Sequence, residues 1–302
     1  MMTNQITKLA SAKDDMVVKT PFWPESWFKN VSAGTNVIMV PPMAKMPAPV
    51  IIDLAKTGDC LVAVGDGAEV IIKEICSGAI ISGKVCIMLD GEAKVTYLID
   101  EIETRGSGQN LVVEREAILE AGAEIDWYCA TFNQSGYQTK VRSWLKGENG
   151  RSDMYWLNCA RADEVVEIEL VNCFDAPNCR GQIYVKGVAQ DRANVKIVGG
   201  IEITLNGGGA DSYLKEDTLL LDNEARIRAL PCLEIKTNEV KAGHGATITN
   251  LTPEDLFYLQ AHGIEAKLAK KLMVQGFLQS VLQHCPDQEF LDKVFKMLSY
   301  ED

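Results

Sequence analysis

The sequence predicts a mainly β protein wound as a β-solenoid and ending in a helical C-terminal domain. Three observations lead there. Short apolar, β-branched runs follow one another from about residue 51 to residue 249, each bounded by Gly, Asn or Asp, with no amphipathic helix between them. A small residue, usually Ala, recurs two places before a β-branched one just after a turn. Residues 250–302 then change to helical spacing behind a capping sequence.

Residues 1–50 read as irregular, because Pro21, Pro24, Pro41, Pro42, Pro47 and Pro49 break helices and withhold sheet donors. Trp23, Trp27 and Phe28 in this segment read as anchors onto the body. Residues 51–249 form the β core, with strand signals at 51–52, 60–64, 70–72, 84–89, 94–99, 111–113, 125–131, 165–172, 182–188, 195–205 and 213–221. The recurring small residue falls at Ala68-Glu69-Val70, Ala93-Lys94-Val95, Ala123-Glu124-Ile125, Ala193-Asn194-Val195, Ala225-Arg226-Ile227 and Ala246-Thr247-Ile248. Successive copies lie roughly 20 to 32 residues apart, with one gap of about 70, as expected for stacked coils with loops of varied length. The absence of intervening helices excludes a doubly wound α/β sheet. An antiparallel sandwich stays open, because alternation does not reveal strand order. Within residues 250–302, Thr252-Pro253-Glu254-Asp255 supplies an N-cap, a proline for the first helical position and acids for the positive end of the helix dipole. This predicts a helix ending at Gly263, a second over 264–283 and, after Pro286, a third over 287–298.

Charge narrows the partners. Thirty Lys and Arg oppose 42 Asp and Glu, a net charge of −12 that repels polyanions, so neither nucleic acid nor an anionic membrane is expected. Residues 1–15 show no secretory signal, and no run approaches the ~18 apolar residues of a membrane span. Nine cysteines, an odd number, read as free thiols in a reducing cytosol, so a cytoplasmic location is expected.

Motifs for nucleotide or metal chemistry are scarce. No phosphate-binding loop is present, Gly207-Gly208-Gly209 reads as a loop between coils, and Cys173 and Cys179 flank Pro177 too loosely for a zinc site. Of three histidines, His262 and His284 fall at helix ends. His244 lies between glycines in Lys241-Ala242-Gly243-His244-Gly245-Ala246-Thr247, where small neighbours suit either a metal ligand or contact with another backbone. A partnered structural histidine fits the same pattern.

The stretch Pro231-Cys232-Leu233-Glu234-Ile235, then Val240 through Thr247, then Leu256-Phe257-Tyr258-Leu259-Gln260-Ala261-His262-Gly263-Ile264, Ala269 and Gly276-Phe277 resembles the C-terminal core of the SufB/SufD family. Those proteins are iron–sulfur cluster assembly scaffolds. The resemblance covers residues 181–282 and suits a short form without the family's larger N-terminal helical domain. It implies a right-handed parallel β-helix with a C-terminal helical domain, acting as a scaffold rather than an enzyme. Such a scaffold pairs through the end of its β-helix, as a homodimer or with a SufB/SufD-type relative, and docks a SufC-type ABC ATPase on the helical domain. ATP then acts only through that partner, and a transient iron–sulfur cluster or iron is held at the pairing interface.

The resemblance also implies roles for residues. His244 heads a His-Gly-Ala-Thr sequence similar to the SufD version and becomes a candidate iron or cluster ligand. Glu216, just before Asp217-Thr218-Leu219-Leu220-Leu221, occupies the place of a SufB-type cysteine and is the second candidate. Cys232, Cys159, Cys173 and Cys179 are candidate sulfur acceptors, with Cys232 expected to face the interface near His244. Leu256, Phe257, Tyr258, Gly263 and Phe277 are the candidate ATPase-docking residues. Three positions depart from the family pattern: Gly245 replaces a SufB-type Glu, Ala242 a common SufD cysteine, and His262 an arginine. Two rivals are a structural partner that positions the ATPase without holding a cluster, and a β-helix carbohydrate-active enzyme, which needs paired acids in a groove.

Overall fold

The computed structural model describes residues 7–9, 34–77, 82–100, 111–132 and 136–300. The anchors Trp23, Trp27 and Phe28, with Pro21 and Pro24, lie outside them. In chain order the chain forms β1 (Thr7–Leu9), β2 (Asn36–Val40), β3 (Val50–Asp53), the single turn α1 (Leu54–Thr57), β4 (Cys60–Val64), β5 (Glu69–Ile75), β6 (Ser82–Leu89), β7 (Lys94–Asp100), β8 (Leu111–Leu119) and β9 (Glu124–Phe132). It continues through β10 (Tyr137–Leu145), β11 (Arg151–Ala160), β12 (Val165–Phe174), β13 (Arg180–Ala189), β14 (Asn194–Ile203), β15 (Asp211–Leu220), β16 (Arg226–Ile235) and β17 (Lys241–Asn250). The helices α2 (Pro253–Ala261), α3 (Ala266–Gln279) and α4 (Gln288–Tyr300) follow.

From β2 onward, even-numbered strands build one sheet and odd-numbered strands the other. Each strand pairs in parallel with the strand two ahead of it, while β1 pairs antiparallel on the first edge. Parallel neighbours need a crossover, and here the crossover is a strand of the opposite sheet. The result is a parallel β-solenoid, which excludes the antiparallel sandwich.

The recurring small residue marks a corner of the coil. Ala68, Ala93 and Ala123 stand fully buried just ahead of β5, β7 and β9. Gly150, Cys179 and Ala210 take the same place ahead of β11, β13 and β15, which closes most of the gap in the Ala spacing. Ala193 and Ala225 mark the matching corner of the even sheet, so two series are interleaved. The residue before each of these six odd-sheet corners is left-handed, as at Gly122 (φ 68°), Asn149 (φ 60°) and Asn178 (φ 58°), hence its Gly and Asn content. Ala246 belongs to neither series, since it lies within β17. The first coil opens at β2, inside residues 1–50. Pro41 and Pro42 follow that strand and Pro47 and Pro49 precede β3, so these prolines shape a corner and leave the ladder intact.

Beyond the solenoid, Thr252 and Asp255 form a reciprocal capping box at α2, and Gly263 (φ 83°) follows its end. The second helix stops at Gln279, short of the predicted 283. α4 returns across the outer face of the odd sheet, where Phe290 and Val294 bury with Leu98, Tyr128 and Leu157. Lys73 bonds Asp287 and Glu289 at 3.2 Å each, and Lys293 bonds Asp100 at 2.9 Å. Among the described residues, no helix is long and apolar enough to cross a membrane.

Candidate functional site

Strand pairing places His244 in a core position. In register it continues the inward column Ile72, Tyr97, Trp127, Met154, Ile183 and Leu214. All six below it are buried, but among the described residues no coil stacks on β16 and β17, and His244 itself is exposed. The inward row of this last coil is uncovered around it, with Leu233 37%, Ile235 39% and Ile248 48% exposed. The solenoid therefore ends in an open apolar face carrying one imidazole.

Glu216 lies one coil deeper and two residues along, about 8 Å from His244 between Cα atoms by strand spacing. It is 0% exposed, and neither carboxylate oxygen has a hydrogen-bond partner among the described residues. Burial pushes its carboxyl up to about 7; the nearby Gly199 N–H offsets part of this without reaching hydrogen-bond geometry. A Cβ on Gly199 would sit 2.6 Å from Leu214 Cδ1 and 2.7 Å from Glu216 Oε1, so the acid fills the space a side chain would take. In register, Ala246 stands above Glu216 and Pro231 above Gly199, a single thin layer between the carboxylate and the open end.

Imidazole nitrogen and carboxylate oxygen are both competent iron donors. Among the described residues, no three His, Cys, Asp or Glu side chains converge on one point, so His244 and Glu216 stand there without a third donor. The glycines flanking His244 open no space around its ring. They belong to the opposite, outer phase of β17, where the Tyr213 ring lies 3.3 Å from the position of a Gly243 Cβ.

The candidate sulfur acceptors do not gather there. Cys232 is exposed but sits in the outward phase of β16, turned from the row that holds His244. Cys173 lies on the outer face of β12, accepting from Arg142 Nη1 at 3.0 Å and donating to Glu202 at 3.1 Å; burial pushes its thiol up to about 12. Cys179 fills a corner, donating to the Gly147 carbonyl at 3.2 Å, and burial raises its thiol. Cys159 is buried in the apolar layer beneath the helices. Neither a thiol nor a disulfide therefore joins the pair among the described residues. Inward phase and depth, which bring Glu216 beneath His244, follow from register across coils and have no local signal.

Of the candidate docking residues, Phe257 and Tyr258 are each 69% exposed on α2, Leu256 is half-buried, and Gly263 is exposed. Phe277 turns inward, its ring 4.2 Å beneath the Lys186 ammonium. Leu268, Leu272 and Met273 add exposed apolar surface on α3 that the motif match missed, although the spacing of 268 and 272 places them on one helix face. His262 keeps to the end of α2, its Nδ1 2.7 Å from the Tyr258 carbonyl oxygen, and His284 follows α3.

Comparison with known proteins gives a consistent result. The family described as "SUF system FeS cluster assembly, SufBD core domain" matches residues 52–277, from β3 through most of α3. An iron-sulfur cluster assembly SufBD family protein of Mycobacterium tuberculosis is 25% identical over 216 residues, covering 72% of this chain and 25% of that protein. One of Staphylococcus saprophyticus is 24% identical over 284 residues, covering 90% of this chain and 60% of that protein. A Staphylococcus aureus relative of the same description is 23% identical over the same span. The chain thus spans between a quarter and three-fifths of the length of these relatives.

Proposed function

Since the chain belongs to the SufBD family of iron–sulfur cluster assembly proteins, we propose that it is a cytoplasmic scaffold whose open coil end holds iron or a nascent cluster between two paired bodies. The observation that carries this reading is the exposed imidazole of His244 one coil above the buried, unpartnered carboxylate of Glu216. A carboxylate kept from water without a partner fits a group awaiting a cation.

Two features support pairing at this end. Among the described residues, the edges of β16 and β17 have no strand partner and lie beside exposed apolar side chains, which favours strand-to-strand association. The donor set among the described residues is also incomplete, so a second copy or a SufB/SufD-type relative supplies the remaining ligands. Iron and sulfide are cargo in this scheme. A SufC-type ABC ATPase binds the helical domain around Phe257 and Tyr258, and ATP acts only through it. Closure of that ATPase shifts the scaffold to the extent that it prefers one scaffold geometry over another.

Anaerobic reconstitution with iron and sulfide tests the reading. Cluster absorbance is expected in the wild type, to fall several-fold in His244→Ala and to weaken in Glu216→Gln. Wild-type absorbance in His244→Ala removes the imidazole from the site. A second reading, a structural partner that positions the ATPase and never holds a cluster, gains weight because no cysteine converges on His244 and Glu216 among the described residues. Anaerobic co-purification with the ATPase without bound iron is its expected result.

A further inference from the structure

His244 is carried by an edge strand between two glycines, the residue type that restrains a backbone least. Among the described residues β17 pairs only with β15 in its sheet, so there the segment 243–245 has a strand neighbour on one side alone. Neither glycine has a positive φ, so turn geometry does not explain them. A ring on the adjacent strand does. Tyr213 pairs in register with Gly243 on the outer face. Its Cδ2 and Cε2 lie 3.3 Å from where a Gly243 Cβ would stand, and its Oη lies 3.1 Å from where a Gly245 Cβ would stand. The ring therefore spans the backbone of His244 from one glycine to the other, on the side opposite the imidazole. An aromatic laid across glycines of a neighbouring strand restores packing that those glycines lack.

We propose that Tyr213 is a positioning residue for His244, clamping the 243–245 backbone so that the imidazole stays presented at the open end. The proposal rests on reading His244 as an iron donor, but its physical content, an ordered imidazole, can be measured without iron.

The test uses the full chain, ¹⁵N-labelled and iron-free, with the three histidine side chains assigned by substitution. Tyr213→Phe keeps the ring and leaves order at 243–245 as in the wild type. Tyr213→Ala lowers it to loop-like values, S² below about 0.6, without changing His262 or His284. It also lowers the iron and sulfide retained after anaerobic reconstitution several-fold. A second arm uses coupling: Gly243→Ala lowers Tm in the wild type but not in the Tyr213→Ala background. Should Tyr213→Ala fail to fold, Tyr213→Leu carries the same comparison. Unchanged order at 243–245, or additive Tm shifts in the coupled pair, overturns the positioning role. Lost order with iron retention intact in both Tyr213→Ala and His244→Ala supports the positioning role while overturning the iron reading.

Discussion

Glu74 and Glu216 stand in the same inward column of the odd sheet, joined in register through Ile99, Cys129, Trp156 and Val185. Both are buried to 1% or less. Near the N-terminal end, Glu74 accepts from Arg115 Nε at 2.9 Å, from Arg115 Nη2, and from Tyr97 Oη at 2.6 Å. Arg115 in turn donates to Thr139 at 2.6 Å, which knits neighbouring coils together. Near the C-terminal end, Glu216 receives no such bond among the described residues. The column of the even sheet that holds Arg115 runs on through Val141 and Leu170 to Gly199, so one glutamate meets a guanidinium where the other meets a bare backbone. In a coil stack, a built-in cation and further donors offset part of the desolvation of a buried carboxylate. Where the counter-charge is missing, the acid costs the fold and is left waiting just beneath the surface at which a second body is proposed to dock.

The contrast can be broken at either end. Arg115→Ala leaves the Glu74 carboxylate with Tyr97 Oη but without its cation, and is expected to cost about 3–5 kcal/mol in urea unfolding at pH 8. Arg115→Met, which keeps much of the side-chain volume and removes the charge, should cost nearly as much; a near-neutral result would show that shape rather than charge is at stake. Glu216→Gln should act in the opposite sense. The folded chain keeps a proton on Glu216 that the unfolded chain releases between pH 4.5 and about 7, so wild-type stability falls as pH rises through that window. The amide removes this slope and is expected to be more stable than the wild type by about 3 kcal/mol at pH 8 and equal to it at pH 4. A flat wild-type curve would mean that Glu216 has found a partner. Smallest is Gly199→Ala, which crowds Leu214 and the Glu216 carboxylate and should cost about 1–3 kcal/mol. A neutral result would mean that the carboxylate has room to swing aside.

The solenoid was legible because its signals are local: the corner residues Ala68, Ala93 and Ala123 and apolar runs such as 60–64 need only a few neighbours to be read. β10 escaped because its inward row, Tyr137, Thr139, Val141, Ser143 and Leu145, is half polar. β16 escaped because Pro231 sits inside it, a proline that the last strand of a sheet can hold. His244 and Glu216 were legible as residues through a motif match, but not as neighbours at different depths. Glu74 and Arg115 lie 41 residues apart and meet across the lumen, and nothing in either neighbourhood announces the other. The inward turn of Phe277 and the outward turn of Cys232 likewise depend on what packs against them.

The return of α4 over the outer face of the odd sheet ties the first coils to the last residues described, with Lys73 and Asp287 joined across 214 positions of sequence. During synthesis on the ribosome, coils can stack as they emerge, because each needs only its predecessor. The strip bearing Leu98, Tyr128 and Leu157 lacks its full cover until the helical segment that carries Leu278, Leu282, Phe290 and Val294 has been translated. The flank of the middle coils is thus sheltered long after it forms, and a nascent chain of this protein carries an adhesive strip through much of its elongation.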